Sequence, residues 1–202
     1  MQKMGSPMLY VPNLIDYIRL LLLVIVLYVK SVKKQAVLLI LSDVLDLLDG
    51  YIARLLKQMT ILGQILDMVV DRISSTIISI LIIQHSPQYL TPFTLLIVID
   101  ISAHWLRHVC GFILKSHHKE IITVQPLLNL YYQSKILLTL LCFCYQGFLI
   151  SFLLYINGEL ETVSKLFCSI SFIPLILKVW ISILQGWEGL KLLSALECEK
   201  SE

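Results

Sequence analysis

The stretch that decides the fold is LSDVLDLLDGYIARLLKQMTILGQILDMVVDRISS, residues 41–75. It consists of two apolar runs, the first interrupted by Asp46 and Asp49 and the second by Asp67 and Asp71. Spacings of three and four residues put the members of each pair on one face of a helix. These four residues, called the paired aspartates below, therefore form two acidic stripes on two successive helices.

The rest of the chain is as apolar as this stretch. Of its 202 residues, 57% are hydrophobic and only 15% are charged, and the mean hydropathy is +0.83. A soluble domain of this length could not bury so much apolar surface in one core, whereas helices in lipid can be apolar on every side. The composition excludes an ordinary cytosolic enzyme. The small net charge of +2, with no basic run, predicts no nucleic acid partner.

Six apolar runs follow one another, each close to the roughly 20 residues that span a bilayer as a helix. Short polar or turn-forming segments separate them, and no linker is long enough to divide the chain into domains. The sequence predicts an all-α polytopic membrane protein, a single bundle of six transmembrane helices that forms one domain over residues 1–202. The runs lie at roughly 14–29, 36–56, 61–83, 90–114, 127–156 and 161–184.

The distribution of lysines between the two sides of the membrane favours one orientation of the predicted bundle by a small margin. With six spans, both termini, the 57–60 turn and the 115–125 loop share one side of the membrane. The larger number of lysines on that side predicts that it faces the cytoplasm, while Lys30, Lys33 and Lys34 on the opposite side weigh against it. The lysines compared are Lys3, Lys57, Lys115, Lys119, Lys191 and Lys200 against Lys30, Lys33, Lys34 and Lys165.

The paired aspartates predict a metal site. A charged side chain at mid-membrane costs at least about 2.5–3.5 kcal/mol on insertion scales, so four of them require compensation. Adjacent antiparallel helices can turn the two acidic stripes toward each other, and divalent cations would then balance the charge. Ligands that are all oxygen favour Mg²⁺ or Mn²⁺ over zinc, and these ions usually complete their coordination with phosphates and water. This pattern points to phosphate chemistry.

Small residues beside the aspartates support this interpretation. Gly50 leaves room for a diphosphate to approach the backbone, Ala53 and Gly63 allow close helix contact, and Arg54 can pair with phosphate oxygens. The alternative is that the carboxylates only pair with internal cations, namely Arg19, Arg54, Arg72 and Lys57. Internal pairing alone has no need of the small residues.

The motif resembles the signature of the CDP-alcohol phosphatidyltransferases at every specified position. The resemblance implies a six-helix membrane enzyme, usually a homodimer, that transfers a phosphatidyl group from CDP-diacylglycerol to an alcohol and releases CMP. It also implies that the paired aspartates hold one or two metal ions, that Asp71 is the base, and that the small residues and Arg54 lie near the CDP moiety. The matching string is Asp46-x2-Asp49-Gly50-x2-Ala53-Arg54-x8-Gly63-x3-Asp67-x3-Asp71.

Longer segments are similar to eukaryotic phosphatidylinositol synthases. This narrower resemblance implies myo-inositol as the acceptor and a location in the endoplasmic reticulum membrane. It also implies that Asn13, which with Pro12 looks like a helix cap, borders the nucleotide. The segments are VPNLIDYIRL (11–20), DMVVDRIS (67–74), DISAHWLRH (100–108) and NLYYQSK (129–135).

Five polar residues are candidates for the inositol site. Asp100 and His104 are four residues apart and can touch on a helix, while Tyr132, Ser134 and Lys135 supply hydroxyl and ammonium groups. A bundle-stabilising Asp–His pair and interfacial tyrosines are the alternatives. A phosphorylated acceptor would instead require a cluster of Arg and Lys, which this region does not offer.

Three rival functions remain open. The first is the same reaction with another alcohol, such as glycerol 3-phosphate or serine. An aspartate-rich membrane prenyltransferase also binds diphosphate through metal-held Asp pairs, but the glycine and alanine spacing and the short chain disfavour it. A non-enzymatic cation-binding membrane protein could use the intramembrane carboxylates as an ion path.

Overall fold

The computed structural model describes residues 6–116 and 125–201, and these residues are almost entirely helical. Within them there are no strands, so the prediction of an all-α protein is confirmed. Short 3-10 helices, Pro7–Leu9 and Pro87–Tyr89, precede the first and fourth α-helices. The α-helices are α1 (Val11–Tyr28), α2 (Val32–Leu55), α3 (Ile61–His85), α4 (Leu90–Ser116), α5 (Pro126–Gln133), α6 (Lys135–Ile156) and α7 (Glu161–Ser201).

Local sequence sets the starts of α1 and α3. Tyr10 has extended backbone angles and is the N-cap of α1, which has a proline in its first turn, where the missing N–H costs nothing. The expectation that Asn13 caps this helix is wrong, because Asn13 lies inside the first turn. Thr60 caps α3, and its hydroxyl accepts a hydrogen bond from the Gly63 amide at 3.0 Å.

The fifth apolar run, expected as one helix over 127–156, is two helices that meet at Ser134. This residue adopts extended angles (φ −95°, ψ 96°), and its hydroxyl accepts a hydrogen bond from the amide of Leu137 at 3.2 Å. Serine is a preferred N-cap, so its side chain starts α6 directly after α5 ends. The last helix, expected to end near residue 184, continues to Ser201.

Four helical segments are long and apolar enough to cross a membrane among the residues described. The count of six spans is therefore not confirmed. The two other long helices, α2 and α3, have 24 and 25 residues and contain the paired aspartates. The four segments are Val11–Tyr28, Pro87–Ile113, Ile136–Ile156 and Glu161–Ala195.

The chain divides into two compact units. The first comprises Met1–Pro87 with Leu149–Lys165, described from residue 6 onward. Within it, α1 packs against both α2 and α3, and buried Leu23, Leu39 and Ile78 contribute to the core. α1 is thus the central helix around which α2 and α3 are arranged.

The second unit comprises Gln88–Phe148 with Leu166–Glu202. Its core joins α5, α6 and α7 through Leu128, Leu141 and Ile181, which are all buried. In the same unit α7 lies close to α4, where the thiol of Cys110 donates to the carbonyl of Gly189 at 3.1 Å.

Candidate active site

The paired aspartates of α2 and α3 converge on one side chain of α1. This side chain is Arg19, whose exposed fraction is only 1%. Its guanidinium forms ion pairs with all four paired aspartates and with Asp16, one turn earlier on α1. These five carboxylates are called the aspartate cluster below.

The two terminal nitrogens of Arg19 divide the cluster. Nη1 lies 3.1 Å from a carboxylate oxygen of Asp16, 3.1 Å from one of Asp49 and 3.2 Å from one of Asp67. Nη2 lies 2.6 Å from an oxygen of Asp46 and 2.6 Å from one of Asp71. Three helices are therefore linked through one planar group.

The cluster contains two overlapping groups of possible metal ligands. One group is Asp16, Asp49 and Asp67, and the other is Asp46, Asp67 and Asp71. Within each group the carboxylate oxygens lie within 4.8 Å of one another. Asp67 belongs to both groups. The donors are all oxygen, as Mg²⁺ and Mn²⁺ prefer. When fully ionised, five carboxylates around one guanidinium would carry an excess of four formal negative charges, which a divalent ion would reduce.

One side of the cluster is accessible and the other is closed. The side chains of Asp16 and Asp49 are 2% and 6% exposed. Those of Asp46, Asp71 and Asp67 are 33%, 34% and 46% exposed. A ligand can reach the carboxylates of the second group without unfolding of the helices.

A cavity of about 190 Å³ adjoins the cluster in the same unit. Asp16, Asp49 and Asp67 form part of its wall. The turn between α2 and α3 contributes Gln58, whose side-chain oxygen accepts a hydrogen bond from the Val11 amide at 3.1 Å. The wall also includes every residue that the sequence associates with the nucleotide, namely Asn13, Gly50, Ala53, Arg54 and Gly63.

Arg54 is exposed at the cavity and forms no ion pair with any of the described residues. A salt bridge from Arg54 to the paired aspartates, which the sequence left open, is therefore not formed. The internal cation of the cluster is Arg19, with Arg72 at 3.9 Å from Asp71 as a more distant neighbour. Arg54 is left with its donors available to a ligand.

The two glycines of the cavity differ in their surroundings. A Cβ atom at Gly50 would meet only the Arg54 guanidinium, at 3.5 Å or more. A Cβ atom at Gly63 would lie 2.9 Å from the side-chain oxygen of Asn13 and 3.3 Å from the hydroxyl of Thr60. Asn13 is buried and is held by a hydrogen bond that its amide donates to the carbonyl of Pro7 at 2.7 Å. Gly63 therefore permits the close approach of α1 to α3, whereas a Cβ atom at Gly50 would make only an ordinary van der Waals contact with Arg54.

The candidate acceptor residues lie in the second unit. The predicted contact between Asp100 and His104 is confirmed. The Nδ1 atom of His104 lies 3.4 Å from a carboxylate oxygen of Asp100 and 2.8 Å from its carbonyl oxygen. Ser134 caps α6, and the side chains of Tyr132 and Lys135 lie outside the part of the structure that is described. The inositol pocket remains a prediction.

Sequence reasoning gave no site role to two residues of the cluster. Asp16 was not considered, and Arg19 appeared only as one of several possible pairing partners. Both are ionisable residues inside the first apolar run, which is the signal that identified the paired aspartates. Their spacing of three residues on one helix was available as a second signal.

A buried polar pair in the last helix was also missed. Lys178 of α7 is buried, and its ammonium donates to the hydroxyl of Tyr131 at 2.9 Å. Tyr131 belongs to the NLYYQSK segment, whose tyrosines could have been interfacial, but it is buried in the core of the second unit. The pairing depends on how α5 and α7 pack, which the local sequence does not reveal.

Comparison with known proteins gives one family and a consistent set of relatives. Residues 9–184 match the family model described as CDP-alcohol phosphatidyltransferase. The Arabidopsis thaliana protein named CDP-diacylglycerol–inositol 3-phosphatidyltransferase 1 is 32% identical over 163 residues, which cover 78% of this chain and 71% of the relative.

Relatives from animals and fungi carry the corresponding name. The CDP-diacylglycerol–inositol 3-phosphatidyltransferase of Drosophila melanogaster is 30% identical over 89% of this chain and 82% of its own. That of Saccharomyces cerevisiae is 29% identical over 87% of this chain and 82% of its own. No solved structure matches the chain.

The contact between Gly63 and Asn13 can be tested by stability. We expect Gly63→Ala to destabilise the protein by about 1–3 kcal/mol, because the added methyl group overlaps the buried Asn13 oxygen. The measurement is thermal unfolding in detergent. The matched control is Gly50→Ala, which should be neutral or slightly stabilising, because alanine is favoured over glycine in a helix. In an Asn13→Ala background the penalty at Gly63 should shrink. Equal stability of the two single glycine variants would contradict the packing described.

Proposed function

The chain belongs to the CDP-alcohol phosphatidyltransferase family, and from this premise we propose that it transfers the phosphatidyl group of CDP-diacylglycerol to myo-inositol. The products are phosphatidylinositol and CMP. The observation that carries the proposal is the aspartate cluster, which opens onto a cavity lined by the remaining residues of the family motif. The choice of inositol is supported by the names of the relatives.

Arg54 and Gly50 are suited to hold the diphosphate of the donor. Arg54 is exposed at the cavity and unpaired among the described residues, so its planar fork can contact two phosphate oxygens. Gly50 has no side chain to block an approach to the backbone of α2. We place the cytidine diphosphate in this cavity, beside Asn13, Ala53 and Gly63.

Mg²⁺ or Mn²⁺, held by the paired aspartates, would neutralise the diphosphate and polarise the phosphorus–oxygen bond that breaks. The fit rests on the oxygen-only donor set and on the close grouping of five carboxylates around a single guanidinium. The buried Asp49 and the more exposed Asp46 supply carboxylates from α2, and Asp67 supplies one from α3.

We assign Asp71 as the base. Its carboxylate lies on the accessible side of the cluster, where a hydroxyl of inositol can reach it. Asp71 accepts the proton while that hydroxyl oxygen forms a bond to the phosphatidyl phosphorus. The bond from this phosphorus to the oxygen of CMP breaks, and CMP leaves with the electron pair. Proton removal and in-line attack need a base and a phosphate in fixed relation.

The acceptor residues are proposed from sequence and chemistry. A ring of hydroxyl groups needs scattered donors and acceptors rather than a cationic cluster. Asp100 and His104 already form a polar pair on α4. Ser134 and the neighbouring Tyr132 and Lys135 add further donors near the junction of α5 and α6.

In the membrane we propose six spans, with α2 and α3 added to the four apolar segments. These two helices are about 36 and about 38 Å long at 1.5 Å per residue, which suffices to cross the bilayer. Asp49 lies six residues from the end of α2, so the cluster is about 9 Å in from the turn. We place this turn on the cytoplasmic side of the endoplasmic reticulum, in a single-domain protein that works as a homodimer. The family resemblance and the lysine distribution support this arrangement.

The reaction is tested with purified protein in lipid vesicles that contain labelled CDP-diacylglycerol. Inositol, glycerol 3-phosphate and serine are offered separately, and CMP and the lipid product are identified. We expect phosphatidylinositol as the main product. Preferred use of another alcohol would overturn the choice of acceptor, and absence of CMP release with every alcohol would favour a prenyltransferase or a non-enzymatic protein.

In the same assay Asp71→Asn should lower turnover by about 100-fold or more, because general base catalysis typically contributes 10²–10⁴-fold. The variant is close in size, so thermal unfolding should show a folded protein. Near-normal CMP release by folded Asp71→Asn would show that another group removes the proton.

The acceptor assignment predicts a selective kinetic effect. Lys135→Ala should raise the KM for inositol severalfold while the KM for CDP-diacylglycerol stays nearly constant, since the lysine is proposed to contact only the acceptor. Lys165→Ala removes the same charge in the other unit and serves as the control. An increase confined to the KM for CDP-diacylglycerol would refute the assignment.

Orientation is tested by labelling single cysteines in sealed microsomes. Gln58→Cys, on the turn beside the cavity, should react with an impermeant reagent added from the cytoplasmic side. Lys30→Cys, between α1 and α2, should react only after permeabilisation. The reverse pattern would place the site on the lumenal side.

A further inference from the structure

Arg19 is the one residue that contacts every member of the aspartate cluster, among the residues described. It approaches five carboxylates from three helices at 2.6–3.2 Å. Its side chain is almost completely buried, and its Nε atom has no hydrogen-bond partner in the part of the chain that the structure describes. All of its ionic contacts are therefore made by the two terminal nitrogens, which face the cluster.

The charge balance makes this arrangement necessary. Carboxylates that share a site repel one another and cannot all stay ionised without a cation between them. A buried guanidinium is in turn stable only when it is paired and hydrogen-bonded. In the first unit α1 therefore supplies the cation that allows α2 and α3 to bring their aspartates together.

The same carboxylates are the candidate ligands of the divalent ion. Nη1 contacts the group of Asp16, Asp49 and Asp67, and Nη2 contacts Asp46 and Asp71 of the other group. A guanidinium and a metal ion cannot both be the main partner of one carboxylate oxygen. Arg19 and a divalent cation would thus compete for the cluster.

We propose that Arg19 is a positioning residue that acts as the internal counter-cation of the aspartate cluster. It holds the carboxylates together before the metal binds and yields part of them when the metal enters. The inference rests on the proposed function in one respect, which is that the cluster is the metal site. It gives Arg19 no direct role in bond making or breaking.

A purely structural role for Arg19 predicts the opposite effect on metal binding. If Arg19 only held the helices in place, its removal would scatter the ligands and weaken binding of a divalent ion. If Arg19 is the competing cation, removal of its charge should strengthen binding. Affinity for a metal ion without substrate separates the two accounts.

The test measures Mn²⁺ binding by electron paramagnetic resonance on the detergent-purified full chain without substrates. Arg19→Gln should bind Mn²⁺ at least about tenfold more tightly than the parent protein, a difference of about 1.4 kcal/mol. Arg19→Lys keeps the charge and should stay within about threefold of the parent. The matched control is Lys34→Gln, which removes one exposed positive charge from α2, about 18 Å before Asp46, and should leave the affinity unchanged.

Thermal unfolding provides the second readout. In EDTA, Arg19→Gln should melt at a lower temperature than the parent protein, and Mn²⁺ should restore more stability to it than to the parent. Weaker or unchanged Mn²⁺ binding by folded Arg19→Gln would overturn the proposal. If Arg19→Gln does not fold even with Mn²⁺, Arg19→Lys decides. An Mn²⁺ affinity of Arg19→Lys within threefold of the parent protein supports the counter-cation role, and an affinity that is tenfold weaker refutes it.

These outcomes are independent of the reaction. Identification of the lipid product tests the acceptor, whereas the Mn²⁺ series uses no substrate. A protein that fails to use inositol but shows the expected order of Mn²⁺ affinities would refute the proposed function alone. A protein that uses inositol but does not show the expected order of Mn²⁺ affinities would refute only the proposed role of Arg19.

Discussion

The buried ion pairs of Arg19 set the geometry of the first unit. Removing the Arg19 guanidinium and the carboxylates of Asp16 and Asp49 from water is costly, and mutual attraction compensates only when the groups are close and well oriented. Arg19 satisfies this requirement from the central helix, with distances of 2.6–3.2 Å to aspartates on α1, α2 and α3. The packing of α1 on its two neighbours and the position of the cluster are thus parts of one arrangement.

The site follows from this constraint together with two small residues. Gly63 lets α1 approach α3, and Gly50 leaves the wall of the cavity clear beside Arg54. The result is a pocket whose wall includes both carboxylates and an available guanidinium. Such a pocket suits a substrate that carries a diphosphate, because the carboxylates can bind divalent ions and the guanidinium can contact phosphate oxygens directly. The family to which the chain belongs uses a substrate of this kind.

Features that depend on neighbouring residues in the chain could be predicted from the sequence. The helical class, the acidic stripes and the Asp100–His104 contact all follow from hydropathy or from the helical repeat. The break at Ser134 was not predicted from hydropathy, because Gln133, Ser134 and Lys135 are only a short polar interruption between two apolar segments, and the cap hydrogen bond at Ser134 starts the second helix. Hydropathy also placed the end of α7 too early, because it reports preference for lipid, whereas a helix can continue through a polar segment to Ser201.

The site itself was only partly predictable for a related reason. The paired aspartates form a local motif with Gly50, Ala53, Arg54 and Gly63, and the cavity brings these four residues together with Asn13. The central role of Arg19 depends on tertiary packing, since the sequence contains several cations that could have paired with the aspartates. Asp16 was missed because it lies outside the motif, although it belongs to one of the two ligand groups.

The positions of the metal ion and the diphosphate are tested most directly by an experimental structure of the full chain with Mn²⁺ and a CDP-lipid. The metal is located by its anomalous scattering or its density. The account predicts metal bound by the paired aspartates, the diphosphate between the metal and Arg54, and Arg19 in contact with fewer carboxylates than in the metal-free protein. Metal bound elsewhere, or a diphosphate outside the cavity of α1, α2 and α3, would contradict it.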